Sequence, residues 1–216
     1  MAEFYLPRLL PEEMEEAYAG LDKAHPNPTE LFRDIFMGPD TPEQHKSNVE
    51  GFQMLMTKLP QLYCVKITEK STRKIVAASM WSINMTVVPD PGFDRPRPWL
   101  NDDKEKLERV IRVMNSTISI RKKWYTKPHI QIMLFYTHPD FQRRGAGSMM
   151  MNWGCTLADH LYLPLWVEGS TEGRKLYEKF GCVLREANPD MGDFLEREAR
   201  PLQIEGGTPA KVADSA

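Results

Sequence analysis

The stretch "YTHPDFQRRGAGSMMMNWG", Tyr136 to Gly154, sets two arginines and two glycines between two regular segments. On its N-terminal side, "HIQIMLFYT" (129–137) carries too many apolar neighbours for a half-exposed strand, and it reads as the central strand of a sheet. On its C-terminal side, Met150, Trp153, Gly154, Leu157, Ala158 and Leu161 recur at helical spacing, and "LPLWVEG" then reads as a second short strand. The whole is a βαβ unit whose turn opens a helix. Amides at a helix start lack intrahelical partners and sit at the positive end of the helix dipole, so they attract anions. Gly145 and Gly147 let a diphosphate approach the main chain, Arg143 and Arg144 add charge at the mouth, and Ser148 adds a hydroxyl. The residues point to a phosphate-bearing ligand; the plain alternative is a solvent-exposed glycine turn.

Upstream, "EFYLPRLL" reads as a short strand and "PEEMEEAYAGL" as a helix, with Met14, Ala17, Tyr18 and Leu21 on one face. A short amphipathic piece around Leu31, Phe32, Ile35 and Phe36 follows. Thr41 then caps a helix that has Pro42 at its first position and Gln44 placed to close a capping box. "LYCVKITEK" and "KIVAASMWSIN" form an antiparallel hairpin around the turn 70–73. The segment 86–128 is an insert: a Pro- and Asp-rich loop, then a helix with Leu107, Val110, Ile111, Met114 and Ile118 as its expected apolar face. Downstream, "STEGRKLYEKFG" reads as a helix capped by Ser170 or Thr171 and closed by Gly181, and "CVLREA" reads as a strand.

At 216 residues, the chain suits one domain, placed at 1–204, with residues 205–216 expected to be a disordered tail. The 28 basic and 30 acidic side chains give a formal charge of −2, which provides no footprint for nucleic acid or an anionic membrane. No basic-then-apolar leader and no apolar run of about 18 residues is present. A soluble cytoplasmic or nuclear chain is expected. Cys64, Cys155 and Cys182 lie far apart without metal-ligand spacing, so neither a disulfide framework nor a metal site is expected.

Two phosphate motifs can be tested on the turn. A Walker loop needs a lysine after its last glycine, and Gly147-Ser148 has none. A dinucleotide fingerprint would find its acid in Glu168, but Met150 stands where its third glycine belongs; it remains the runner-up. The better match is a resemblance to the GCN5-related N-acetyltransferase (GNAT) superfamily. "THPDFQRRGAG" resembles its Gln/Arg-x-x-Gly-x-Gly/Ala turn, and "EGSTEGRKLYEKFGCVL" resembles its second signature, a strand followed by Leu-Tyr-x-x-x-Gly. The likeness runs over roughly residues 60 to 187 and is most specific in 134–184. Ala158-Asp159 and the acid-x-Ser of Glu168 to Ser170 resemble fungal members. Cys182 departs from the phenylalanine common after the signature glycine.

The resemblance implies an α/β (α+β) GNAT fold: a mixed, mostly antiparallel sheet, splayed between its two central parallel strands and flanked by helices. It implies acetyl-coenzyme A as co-substrate, with the pyrophosphate on the amides of Arg143, Arg144, Gly145, Ala146, Gly147 and Ser148 beside Gln142. The pantetheine would run along Phe135, Tyr136 and Thr137, with a main-chain N–H near Tyr136 as oxyanion donor. Acetyl transfer by direct attack in a ternary complex needs a neutral amine, oxyanion stabilisation and a proton for the leaving thiolate. Tyr177 matches the superfamily's proton donor. Glu168, at a strand end beside the splay, is the expected base, directly or through water, with its alternative a surface or capping carboxylate. His138 is a further proton acceptor to weigh, His129 is expected to lie too far away, and Cys155 is expected to be a core residue.

Segments 26–40 and 89–101 are expected to wall the acceptor pocket, the latter with Asp90, Phe93, Asp94 and Trp99, near Asp102 and Asp103. The acceptor is expected to be a small-molecule amine, or else a protein amine, and the chain a monomer or homodimer. A non-catalytic acyl-coenzyme A binding or sensing domain is the alternative function.

Overall fold

The structure is a computed structural model that describes residues 3–92 and 96–201. The expected tail at 205–216, and Phe93 and Asp94 of the insert, lie outside the described residues. Among the described residues, seven strands and six α-helices follow in order: β1 (Phe4–Tyr5), α1 (Met14–Ala24), α2 (Glu30–Phe32), α3 (Pro42–Lys58), β2 (Leu62–Glu69), β3 (Ile75–Asn84), α4 (Lys104–Trp124), β4 (His129–Thr137), α5 (Ala146–Leu161), β5 (Leu165–Gly169), α6 (Arg174–Lys179), β6 (Val183–Asn188) and β7 (Gly192–Arg197).

The strands form one sheet in the order β1-β2-β3-β4-β5-β7-β6. β4 and β5 run parallel, and every other neighbouring pair is antiparallel. Side chains alternate between faces along each strand, so the packing clusters assign the helices. Ile130, Ile132, Leu165 and Val167 meet Met151, Cys155 and Ala158 of α5 and Tyr177 of α6 on one face. On the other face, Ala78, Met80 and Tyr136 meet α1 and Val49 of α3, while Trp166 and Phe194 meet Ile120 of α4. The two central strands are covered on both sides, which explains the near-continuous apolar run of β4.

Several expectations are corrected here. Thr41 does cap α3, accepting from the Gln44 amide at 3.2 Å, but the Gln44 side chain donates to Asn48 at 3.0 Å and does not close a box. In α4 the buried stripe is Val110, Val113, Met114, Thr117 and Ile120, whereas Ile111 is 49% exposed. Thr117 enters the stripe because its hydroxyl donates to the Val113 carbonyl (3.1 Å) and leaves a methyl for the core. Ser170 holds the turn before α6 by accepting from the Gly173 amide at 3.2 Å, so the helix itself starts only at Arg174. β7 was not anticipated; it inserts between β5 and β6 and covers the far edge of β5.

Residues 33–37 wind into a π-turn that ends at Gly38, whose φ of 75° suits glycine. Asn48 ties this turn down, donating to Tyr18 Oη (2.8 Å) and to the Met37 carbonyl (2.7 Å).

Candidate active site

β4 pairs with β5 only at Ile130, Gln131 and Ile132, opposite Leu165, Trp166 and Val167. Beyond these the strands separate, while β4 stays paired to β3 as far as Thr137. The register against β3 shifts between Met80 and Trp81, which leaves Met133 as an extra residue on β4. The amide of His138 donates to the Val76 carbonyl (2.9 Å), so the alternation of an antiparallel ladder aims the peptide groups of Tyr136 at β3. Those of Phe135 and Thr137 face the open side. Tyr136 is thereby corrected from a direct ligand to a scaffold residue: it is 4% exposed and its hydroxyl donates to the Ala17 carbonyl at 2.6 Å.

The glycine turn lies past the end of the open strand. Arg143 (φ 61°) and Gly145 (φ 96°) both adopt left-handed backbone, and together they turn the chain into α5. The first amide of this region with a main-chain acceptor is Met149, bonded to the Gly145 carbonyl at 3.0 Å. The amides of Ala146, Gly147 and Ser148 stand ahead of it at the helix start. A side chain at Gly147 would meet Leu176 Cδ2 at 3.1 Å and Phe135 at 3.7 Å, so its absence keeps α5, α6 and β4 close. Gln142 braces the turn by donating to the Thr137 carbonyl at 3.3 Å. Arg143 is exposed, but Arg144 is turned away from the mouth. It pairs with Glu3 and with Glu69 (3.4 Å) and lies over the rings of Phe4 and Phe141, which anchors the turn to β1 and β2. The expectation that it adds charge at the mouth is corrected accordingly.

Tyr177 stands across the gap on α6. Its ring meets Phe135 edge-on, with centroids 6.0 Å apart, and packs against Gly169, which ends β5; a methyl there would overlap the ring. Burial pushes its hydroxyl up to about 12, so it is a protonated group at neutral pH. Cys182 is 3% exposed and lies in the same core cluster as Leu195 and Tyr177.

Glu168 lies one residue past the last β4–β5 pair, on the α4 face. It is not a free base. Its Oε1 accepts from Arg121 Nε (2.7 Å), Tyr125 Oη (2.6 Å) and Gln131 Nε2 (2.9 Å), and its Oε2 accepts from Arg121 Nη2 (2.7 Å). Burial, then the charge of Glu168, raise the Tyr125 hydroxyl well above its ordinary range. His129 lies behind Tyr125 and is fully buried; burial pushes its imidazole down, and its Nδ1 sits 2.7 Å from the Lys127 carbonyl. Arg121, Tyr125 and Gln131 were not anticipated, because they come from two elements that only the tertiary fold brings to Glu168.

The two segments expected to wall the acceptor pocket do meet. Arg97 Nε donates to the Ile35 carbonyl and Trp99 Nε1 to the Asp34 carbonyl, both at 3.2 Å. Lys106 and Arg109 of α4 pair with Glu30 at 2.7 and 3.7 Å, and Arg121 Nη1 donates to the Pro91 carbonyl at 3.2 Å. The described parts of the insert thus strap the π-turn on one side and Arg121 of α4 on the other.

The remaining candidates have structural places. His138 accepts from the Asp140 amide (3.3 Å) in the turn after β4. Cys155 is buried and its thiol is pushed up to about 11 by burial, a poor nucleophile in the core. Among the described residues no cluster of side chains could hold a metal ion, and no helix is long and apolar enough to cross a membrane.

Comparison with curated protein sequences yields no match. The profile of the acetyltransferase (GNAT) family matches residues 87–182. Among solved structures, the chain is similar to a histone acetyltransferase HPA2 and related acetyltransferase from Corynebacterium glutamicum, with 17% identity, a TM-score of 0.57, and coverage of 94% of this chain and 98% of that one. It is also similar to a mosquito arylalkylamine N-acetyltransferase like 5b, at 11% identity, TM-score 0.54 and coverage of 93% and 94%. A third, the PaiA N-acetyltransferase of Thermoplasma acidophilum in complex with coenzyme A, gives 7% identity, TM-score 0.52 and coverage of 90% and 98%. With its seven-stranded mixed sheet, its parallel β4–β5 pair and helices on both faces, the chain has the GNAT fold.

Proposed function

We propose that the protein is an acetyl-coenzyme A-dependent N-acetyltransferase that acts on the primary amine of a small molecule by direct attack in a ternary complex. The observation that carries this reading is the gap between β4 and β5, with open main chain on one wall, a helix start at one end and the Tyr177 ring across from Phe135. Acetyl-coenzyme A would lie along Phe135 and Thr137, its pyrophosphate on the amides of Gly145 to Ser148. The open-side amide of Phe135 would receive the oxyanion, and Tyr177 would protonate the departing thiolate. With the Glu168 carboxylate already paired to Arg121, the amine enters as its neutral form and loses one proton to solvent as it is acylated. The strap formed by the insert favours a small acceptor over a polypeptide tail. Thiol release from acetyl-coenzyme A, measured with phenylethylamine, putrescine, glucosamine, glycine and a lysine-containing peptide, tests the reading. Turnover with one of the small amines is expected; binding of acetyl-coenzyme A without turnover on any of them would favour the non-catalytic binding domain.

A further inference from the structure

Glu168 is the charged group closest in sequence to the point where β4 and β5 part, and its four hydrogen bonds are unequally shared. A carboxylate oxygen offers two in-plane lone pairs. Oε1 takes three donors and is saturated, whereas Oε2 takes one, from Arg121 Nη2, and keeps one lobe open. The side chain as a whole retains 12% exposure. Arg121 is itself held from two sides, by the bidentate pair and by the Pro91 carbonyl, at the C-terminal turn of α4 where a cation is favoured.

We propose that Arg121 is a positioning residue: it neutralises Glu168, so that the carboxylate orients an incoming amine through Oε2 without holding that amine as an ammonium ion. This rests on the acetyl-transfer reading. Acetyl transfer consumes the neutral amine, and an uncompensated carboxylate within reach stabilises the charged form of its neighbour by about one to three pH units. The guanidinium at 2.7 Å removes that bias. The other groups around Glu168 do not supply the charge. Tyr125 and Gln131 are neutral donors, His129 is buried behind Tyr125, and Phe194 is the residue opposite on β7. Asp193, one position along β7, is paired with Arg174 at 2.6 Å, and Lys123 further along α4 is paired with Glu186 at 2.8 Å.

The test is the pH profile of kcat, at saturating amine and acetyl-coenzyme A, for wild type, Arg121→Met, Arg121→Lys and the double variant Arg121→Met/Glu168→Gln. The acceptor is whichever of the four small amines above the wild type acetylates, and acetyl-coenzyme A affinity is measured in parallel. Arg121→Met is expected to move the acidic limb up by about one pH unit, to leave the affinity for acetyl-coenzyme A unchanged, and to be restored by the double variant. Arg121→Lys, with the charge but no bidentate fork, is expected to fall between. A limb that stays in place, or a double variant that does not restore it, overturns the proposal. A uniform loss together with weakened acetyl-coenzyme A binding marks a merely structural role and overturns it too. A wild type that binds acetyl-coenzyme A yet acetylates none of the amines removes the acetyl-transfer reading first, and this inference with it.

Discussion

The two sides of the β4–β5 gap are built from different materials. Toward α5 and α6 the surface is main chain: the outward-facing peptide groups of Phe135 and Thr137, the carbonyl of Thr137 accepting from Gln142, and the amides ahead of Met149, with the Tyr177 ring against Phe135. Toward α4 it is side chains: Arg121, Tyr125 and Gln131, all donating to Glu168. Main chain can recognise a ligand that never changes, because the backbone geometry of a strand and a helix start is independent of most substitutions. Side-chain walls can be rebuilt without disturbing the fold, which suits the part of the site that must choose among amines.

The sharpest way to break this contrast is at its exception. Tyr177→Phe removes one hydroxyl from the main-chain side, and turnover is expected to fall about 100-fold while acetyl-coenzyme A affinity stays within a factor of two. Steady-state kinetics beside calorimetry separate the two, and unchanged turnover would reject the acid role.

Gly145→Val is next. Its left-handed φ of 96° disfavours a β-branched residue, although a side chain there meets nothing within 4 Å. A valine there lets the exposed turn relax out of this conformation, and restoring it on binding costs about 1–2 kcal/mol, so roughly tenfold weaker acetyl-coenzyme A binding is expected with little change in thermal stability. Intact affinity would mean that the pyrophosphate docks elsewhere.

Gly154→Ala probes the floor that both sides share. A methyl at Gly154 would overlap the indole of Trp81, which is fully buried between β3 and α5. Overpacking there is expected to destabilise by about 1–3 kcal/mol, visible as a lower denaturation midpoint, with turnover per folded molecule preserved. Arg144→Ala should have the smallest effect. The side chain serves Glu3, Glu69 and two phenylalanine rings, so acetyl-coenzyme A affinity is expected to change less than threefold. A loss matching that of Gly145→Val would return Arg144 to the mouth of the site.

The same contrast governs what the chain reveals before it folds. The turn, β4, α5 and the hairpin are legible because local pattern fixes them: glycines mark left-handed backbone, and apolar period marks strand or helix. β7 escapes notice because "GDFLER" is short and mixes charge with only two core side chains, Phe194 and Leu195. The α4 stripe is misplaced by a residue because Thr117 hides a methyl behind its hydrogen bond, while Ile111 faces outward. Glu168 is visible as a carboxylate at a strand end, but its partners lie 47, 43 and 37 positions upstream, and no spacing rule links them. Arg144 reads as a phosphate ligand by charge alone; only the packing of β1 beside the turn shows what it holds.

The central claim is that the main-chain side of the gap receives acetyl-coenzyme A. Calorimetric titration of the purified protein with acetyl-coenzyme A, with NAD in parallel, tests it most directly. Saturable binding of acetyl-coenzyme A without binding of NAD is the expected result; binding of NAD alone, or of neither, would contradict the account.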